Sequence, residues 1–149
     1  MKFFAILFLL LSQSMSNIDI NDDNVQWLTD YDLAMGEALL KKKNVLVYFT
    51  GSDWCGPCKM LKKDLFATKE FKELSKEFVL LYVDIPRSKD LLTKEQMEHN
   101  KELFSKLNKK GVFPLLVALS NNGNILDQYS GYSMNGEVGY HLEFLKKNK

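Results

Sequence analysis

The chain has 149 residues, with 20 Lys and Arg against 19 Asp and Glu and a formal net charge of +1. A balance this close to zero excludes a chain built to coat a polyanion, and an aromatic share of 12% excludes a disordered tail. The length suits one domain with a core of its own and is too short for two.

Lys2 is followed by the apolar run Phe3 to Leu11 and then by Ser12-Gln13-Ser14-Met15-Ser16. A charged start, a short apolar stretch and a small-x-small end form the pattern of a secretory signal peptide, so residues 1–16 are expected to be removed. The run is too short to span a bilayer of ~30 Å as a helix. About 133 residues would remain, with a net charge near zero once Lys2 is lost. Residues 17–26 are polar and expected to be loosely ordered, and the folded domain is expected over 27–149, with an extra strand near Trp27.

Asp30 is placed to cap a helix to about Lys43, with Leu33, Leu40, Gly36 and Ala38 available for its inner face. Val45 to Thr50 is a continuous apolar run of strand length, the pattern of a strand covered on both sides. Gly51-Ser52-Asp53 forms a turn into a helix carrying Met60, Leu61, Leu65 and Phe66. Thr68 caps a further short helix with Phe71, Leu74 and Phe78 on one face. Val79 to Val83 is a second buried strand. Thr93 and Gln96 match a capping box that opens a long helix, with Met97, Leu103, Phe104 and Leu107 turned inward and Gly111 as its C-cap.

Val112 to Leu119 is a third apolar strand. It contains Pro114, which is out of place in a central strand unless the ladder stops there or the peptide bond is unusual. Asn122-Gly123 predicts a hairpin turn to a strand over 125–129. Val138, Leu142 and Leu145 mark a last helix. The fold class expected is α/β, a central mixed sheet with helices on both faces. Lys41-Lys42-Lys43 and the Lys-rich C-terminus sit at helix ends, where the dipole favours cations, and read as solvated caps rather than a nucleic-acid surface.

The only two cysteines, Cys55 and Cys58, stand in Trp54-Cys55-Gly56-Pro57-Cys58-Lys59 at the strand-to-helix junction. As a structural cross-link the pair would close a loop too short to stabilise much. As a zinc site it offers two ligands where four are needed, and His99 and His141 lie in distant helix-like stretches and read as surface residues. Haem attachment wants His where Lys59 stands. A reversible dithiol at a helix N-terminus, where a thiolate is stabilised, is the reading that remains.

From about Val25 onward the chain resembles the thioredoxin superfamily. The resemblance rests on the Trp54–Lys59 box, on Val112-Phe113-Pro114, on the Asn122-Gly123 hairpin and on Gly131. The Phe49–Cys55 segment and the long helix before Gly111 are similar to exported reductases of the DsbH type and to the C-terminal redox domain of DsbD. The resemblance implies a thioredoxin-like fold and a catalytic pair in which Cys55 is the exposed attacking thiol and Cys58 the buried resolving one. It implies a cis peptide at Pro114 and a substrate-docking surface of Trp54, Gly56, Pro57, Phe113, Pro114 and Gly131. It implies disulfide-bearing exported proteins as substrates, a periplasmic location and a transmembrane electron donor of the DsbD kind. No metal or other cofactor and no nucleic acid enter this reading, and the chain is expected to be a monomer.

Two departures from the family stand out. The buried aspartate on the strand before the active site falls on Tyr48 if one residue is gapped and on Phe49 if not, and its partner lysine falls near Leu80. Phe113 replaces the usual smaller residue before the cis-proline. Gly56-Pro57 is the thioredoxin dipeptide and favours a reductase. A disulfide oxidase or isomerase of the same fold is the alternative. A thioredoxin-fold binding module and a dithiol metal carrier stand further off, because the Cys pair is intact and lacks nearby His or Met ligands.

Overall fold

In the computed structural model, residues 18–19 and 25–149 are described, and the signal-peptide expectation for 1–16 lies outside them. The sheet is built outward from the two apolar runs. β3 (Asn44–Thr50) and β4 (Phe78–Asp84) pair in parallel, Val45 opposite Val79 and Phe49 opposite Val83. β5 (Leu115–Leu119) and β6 (Ile125–Ser130) add antiparallel on one side, and β2 (Gln26–Leu28) adds parallel to β4 on the other. A two-residue β1 (Ile18–Asp19) pairs with β2, giving the order β1-β2-β4-β3-β5-β6. Of the stretch expected to be loosely ordered, Ile18–Asp19 and Gln26 therefore belong to the sheet.

Alternation along β3 divides the core in two, because successive strand residues face opposite ways. Val45, Val47 and Phe49 face a layer formed with α1 (Tyr31–Lys41) and α4 (Lys94–Leu107). Leu46 and Tyr48 face Cys55, Cys58 and the layer of α2 (Gly56–Leu61), α3 (Lys69–Ser75) and α5 (Gly139–Asn148). Trp27, fully buried, anchors this second layer with Tyr48, Phe66 and Phe71 around it.

Several local expectations are corrected. Helix α1 buries Ala34 and Ala38, whereas Leu33 is 43% and Leu40 85% exposed. The helix lies close on the sheet, and only small side chains fit between. Phe78 opens β4 rather than closing α3. The helix from α2 continues as a π turn over Lys62–Phe66 that buries both Leu65 and Phe66. Thr93 accepts from the Gln96 N–H, but the Gln96 amide reaches Thr29 O and Asn100 Oδ1, so only half of a capping box forms.

Helix α4 ends at Leu107, and its cap is Asn108, whose side chain brackets the Val112 N–H and carbonyl. Gly111, at φ +63°, sits in the turn beyond. Met97 is half-buried on the outer side of α4, and Asn100 takes the inward position. The β5–β6 connection is a five-residue loop, with the Gly123 N–H on Ser120 O, rather than a two-residue turn. Of its residues only Gly123 has a positive φ, at 85°. The last strand and final helix are where expected.

Candidate active site

The turn between β3 and α2 is folded on Gly51, whose carbonyl accepts from the N–H groups of Trp54 at 3.2 Å and Cys55 at 2.8 Å. A Cβ on Gly51 would lie 2.2 Å from the Trp54 indole, so only glycine lets the ring settle there. The turn is also tied to the end of β4. Asp84 accepts from the Ser52 N–H at 2.8 Å and from its hydroxyl. Asp53 accepts from the N–H groups of Arg87 at 3.0 Å and Ser88 at 2.9 Å. The Ser88 bond, foremost, holds the exposed Asp53 carboxyl below its usual range. Burial pushes the Asp84 carboxyl up, partly offset by the Ser52 bonds.

Cys55 is the N-cap of α2, and its Sγ accepts from the Cys58 N–H at 3.2 Å. Pro57 lies in the first turn, where a helix has no use for its missing N–H. The two sulfurs form a disulfide, S–S 2.03 Å, with Cα atoms 5.3 Å apart. Cys58 is 1% exposed and Cys55 only 3%. The expected contrast between an open and a covered thiol is therefore small in the disulfide form. Gly56 is exposed beside the pair, and Pro57 half so.

Around the pair stand the other expected residues. Trp54 is half-buried, with Nε1 on Ile85 O at 2.8 Å and its ring edge-on to Phe113 at 5.1 Å. Phe113 in turn stacks on Phe104 at 5.7 Å. The Phe113–Pro114 peptide is cis. The ladder starts only at Leu115, which resolves the proline's position: it precedes the strand. Gly131, at φ +85°, donates its N–H to Pro114 O at 2.9 Å. The Trp54–Phe113 contact and the Pro114–Gly131 bond thus link Trp54, Phe113, Pro114 and Gly131, while Gly56 and Pro57 lie in the first turn of α2 next to Cys55.

Tyr48, not Phe49, occupies the place facing the redox helix. Its hydroxyl donates to Cys58 O at 3.0 Å, and burial pushes its phenol above the ordinary value. Phe49 points into the opposite layer. Tyr82, raised by burial as well, and Asp84 are the titratable neighbours of Tyr48 across the strand pair. No carboxylate is hydrogen-bonded to either cysteine among the described residues, and none of their side chains form a group able to hold a metal ion.

The sequence reading missed four contributors: Gly51, Asp84, Arg87 and His141. The last corrects the expectation of surface histidines. His141 is 3% exposed, and its Nε2 donates to Gly131 O at 3.1 Å between the rings of Tyr129 and Tyr132. Its Nδ1 is buried without a partner, and burial holds its pKa below the usual value. The signal was present, since Val138, His141, Leu142 and Leu145 fall at i, i+3, i+4 and i+7 on one helical face. His99 is half-buried and accepts from the Tyr31 N–H.

A family model described as thioredoxin-like matches residues 26–120. The chain is similar to the thioredoxin-related protein DsbJ of Chlamydia pneumoniae, 29% identical over 139 residues, which are 90% of this chain and 39% of that protein. It is similar to the disulfide bond reductase DsbH of Chlamydia pneumoniae, 30% identical over 118 residues, 78% of this chain and 69% of that one. The chain thus spans well under half of DsbJ and about two thirds of DsbH. Among solved structures, a DsbH oxidoreductase superposes with a TM-score of 0.72 at 26% identity, covering 92% of this chain and 94% of that one. The reduced C-terminal domain of DsbD from Neisseria meningitidis shares the fold, with a TM-score of 0.56 at 20% identity over 79% of this chain and 93% of that one. With its fold, its cis-proline and its Cys-Gly-Pro-Cys disulfide at the head of α2, this chain belongs to the thioredoxin-like family.

Proposed function

We propose that this protein is a thiol–disulfide oxidoreductase that reduces disulfides in exported proteins of the periplasm. The observation that carries the reading is the Cys55–Cys58 disulfide across the first turn of α2, with the Cys58 N–H directed at Cys55 Sγ. In the dithiol form that N–H and the helix terminus favour a thiolate at position 55, the species that attacks.

Cys55 thiolate attacks one sulfur of the client disulfide, and the other client sulfur leaves with the electron pair and takes a proton from solvent. Cys58 then loses its proton and attacks Cys55 Sγ, closing the protein disulfide and releasing the second client thiolate, which is protonated in turn. Two electrons and two protons have passed to the client. Trp54, Gly56, Pro57, Phe113, Pro114 and Gly131 receive the client chain. Tyr48 stands where thioredoxins usually carry a buried aspartate, so the Cys58 proton passes to water or another group rather than to a carboxylate at that place.

An oxidising periplasm would leave such a couple as the disulfide, so the protein takes electrons from a membrane reductant of the DsbD kind. It works as a monomer after removal of residues 1–16. The test is the potential of the Cys55–Cys58 couple against glutathione. A value nearer the ~−270 mV of thioredoxin is expected, with insulin reduced in the presence of dithiothreitol. A value above about −180 mV would assign the oxidase or isomerase role instead.

A further inference from the structure

Next to the Trp54 end of the site, a groove of about 450 Å3 runs between the loop after β4 and the N-terminal half of α4. Four cations line it, Arg87 and Lys89 from the loop and Lys94 and Lys101 from the helix, and Glu98 is the single acid along it. All four are exposed. The floor is apolar, made by buried Pro86 and half-buried Leu92 and Met97. Lys94, Met97, Glu98 and Lys101 follow one another at helical spacing, so α4 turns one continuous stripe to the groove while Asn100, Leu103 and Leu107 face the core.

The three lysine charges are not used up within the fold, whereas Arg87 has the Asp53 carboxylate nearby. Lys41, Lys76, Lys106, Lys146 and Lys147 each pair with a carboxylate within 2.9 Å. None of the four groove cations forms an ion pair among the described residues. Arg87 joins the groove to the redox centre, its guanidinium carbon lying 4.9 Å from the centre of the Trp54 ring beside Cys55. A concave wall lined mainly by one sign of charge focuses its field on whatever enters, and an apolar floor adds contact area.

We propose that this groove binds an acidic segment of the client polypeptide that flanks the disulfide being reduced, and so sets client preference by charge. The proposal rests on the reductase reading for the identity of the client as a disulfide-bearing chain. A neutral or basic flank would leave the three lysines uncompensated and forgo the steering.

The test uses the full chain and three peptides, each closed by one disulfide and identical except for four flanking residues, all Glu, all Gln or all Lys. The Glu peptide is expected to exceed the Gln peptide in kcat/KM by about tenfold at low salt, with the gap closing at about 0.5 M salt. In the variant K89E/K94E/K101E the order should invert in favour of the Lys peptide, while the small neutral hydroxyethyl disulfide is reduced at the wild-type rate. A second readout needs no turnover: fluorescence anisotropy of a cysteine-free Glu peptide should report binding to wild type and none to the variant. Equal kcat/KM for the three peptides, or an unchanged order in the variant, overturns the proposal. So does salt-sensitive binding to phosphatidylglycerol vesicles without any peptide preference. If neither hydroxyethyl disulfide nor any peptide is reduced, the reductase reading fails by itself, and the anisotropy still decides the groove.

Discussion

Cys55 and Cys58 differ little in exposure, so the proposed division of labour between them rests on position along the helix. Cys55 Sγ receives a backbone N–H and Cys58 donates it, one turn deeper. Cys58→Ser should therefore accumulate mixed disulfides with client proteins, and Cys55→Ser should not. Equal trapping on non-reducing gels would contradict the assignment. Gly51 is a residue whose importance lies in what it lacks. In Gly51→Ala the new methyl occupies the space of the indole, so Trp54 must leave its bond to Ile85 O and its place against Phe113. A loss of about 1–3 kcal/mol in urea unfolding is expected, with a red-shifted tryptophan emission. An unshifted spectrum would show that the ring had stayed.

At the scale of elements, α5 couples the last helix to the docking edge through His141. Burial lowers the pKa of this histidine in the folded state, while in the unfolded chain it protonates at about 6.5. Below that pH the unfolded state binds more protons, so stability falls as pH drops from about 6.5 towards the depressed folded value and levels off beneath it. His141→Gln keeps a donor for Gly131 O but does not titrate. Urea unfolding at pH 7.5 and 5.0 should show a smaller drop in the variant than in wild type, and identical slopes would refute the coupling. Elements also mark where the sequence was and was not legible. The buried strands and the Cys pair are local signals, a continuous apolar run and a six-residue box, and both read directly. The inner face of α1 read only in part: Ala38 was placed there correctly, but Ala34 was missed and Leu33 and Leu40 were wrongly included, because the closeness of the sheet selects small side chains over the more hydrophobic ones. The α4 cap was misplaced because Asn108 closes the helix with its side chain and leaves the positive φ of Gly111 to a later turn. Pro114 stood out in the sequence as misplaced in a central strand, but its cis peptide and its partner Gly131 were legible only through the family resemblance, since the two meet by tertiary contact and no spacing connects them.

For the whole molecule, the described residues include no helix long and apolar enough to cross a membrane. Expressed from Met1, the chain is expected in the periplasmic fraction as a monomer beginning near Asn17. Terminal sequencing and light scattering check this, and a retained Met1 in the membrane fraction would reject it. The assembly of the docking edge has a further consequence in time. In the proposed reaction the attacking sulfur is that of residue 55, and the edge that would present a client to it is fastened by Pro114, Gly131 and His141, the last of them 86 residues further along the chain. During synthesis the thiols therefore emerge long before the groups that fasten this edge. Until α5 has docked, the His141 bond that holds this edge is missing, so in the proposed mechanism the dithiol would meet oxidants without the surface that selects clients. On that mechanism, selective exchange would begin only once α5 is in place.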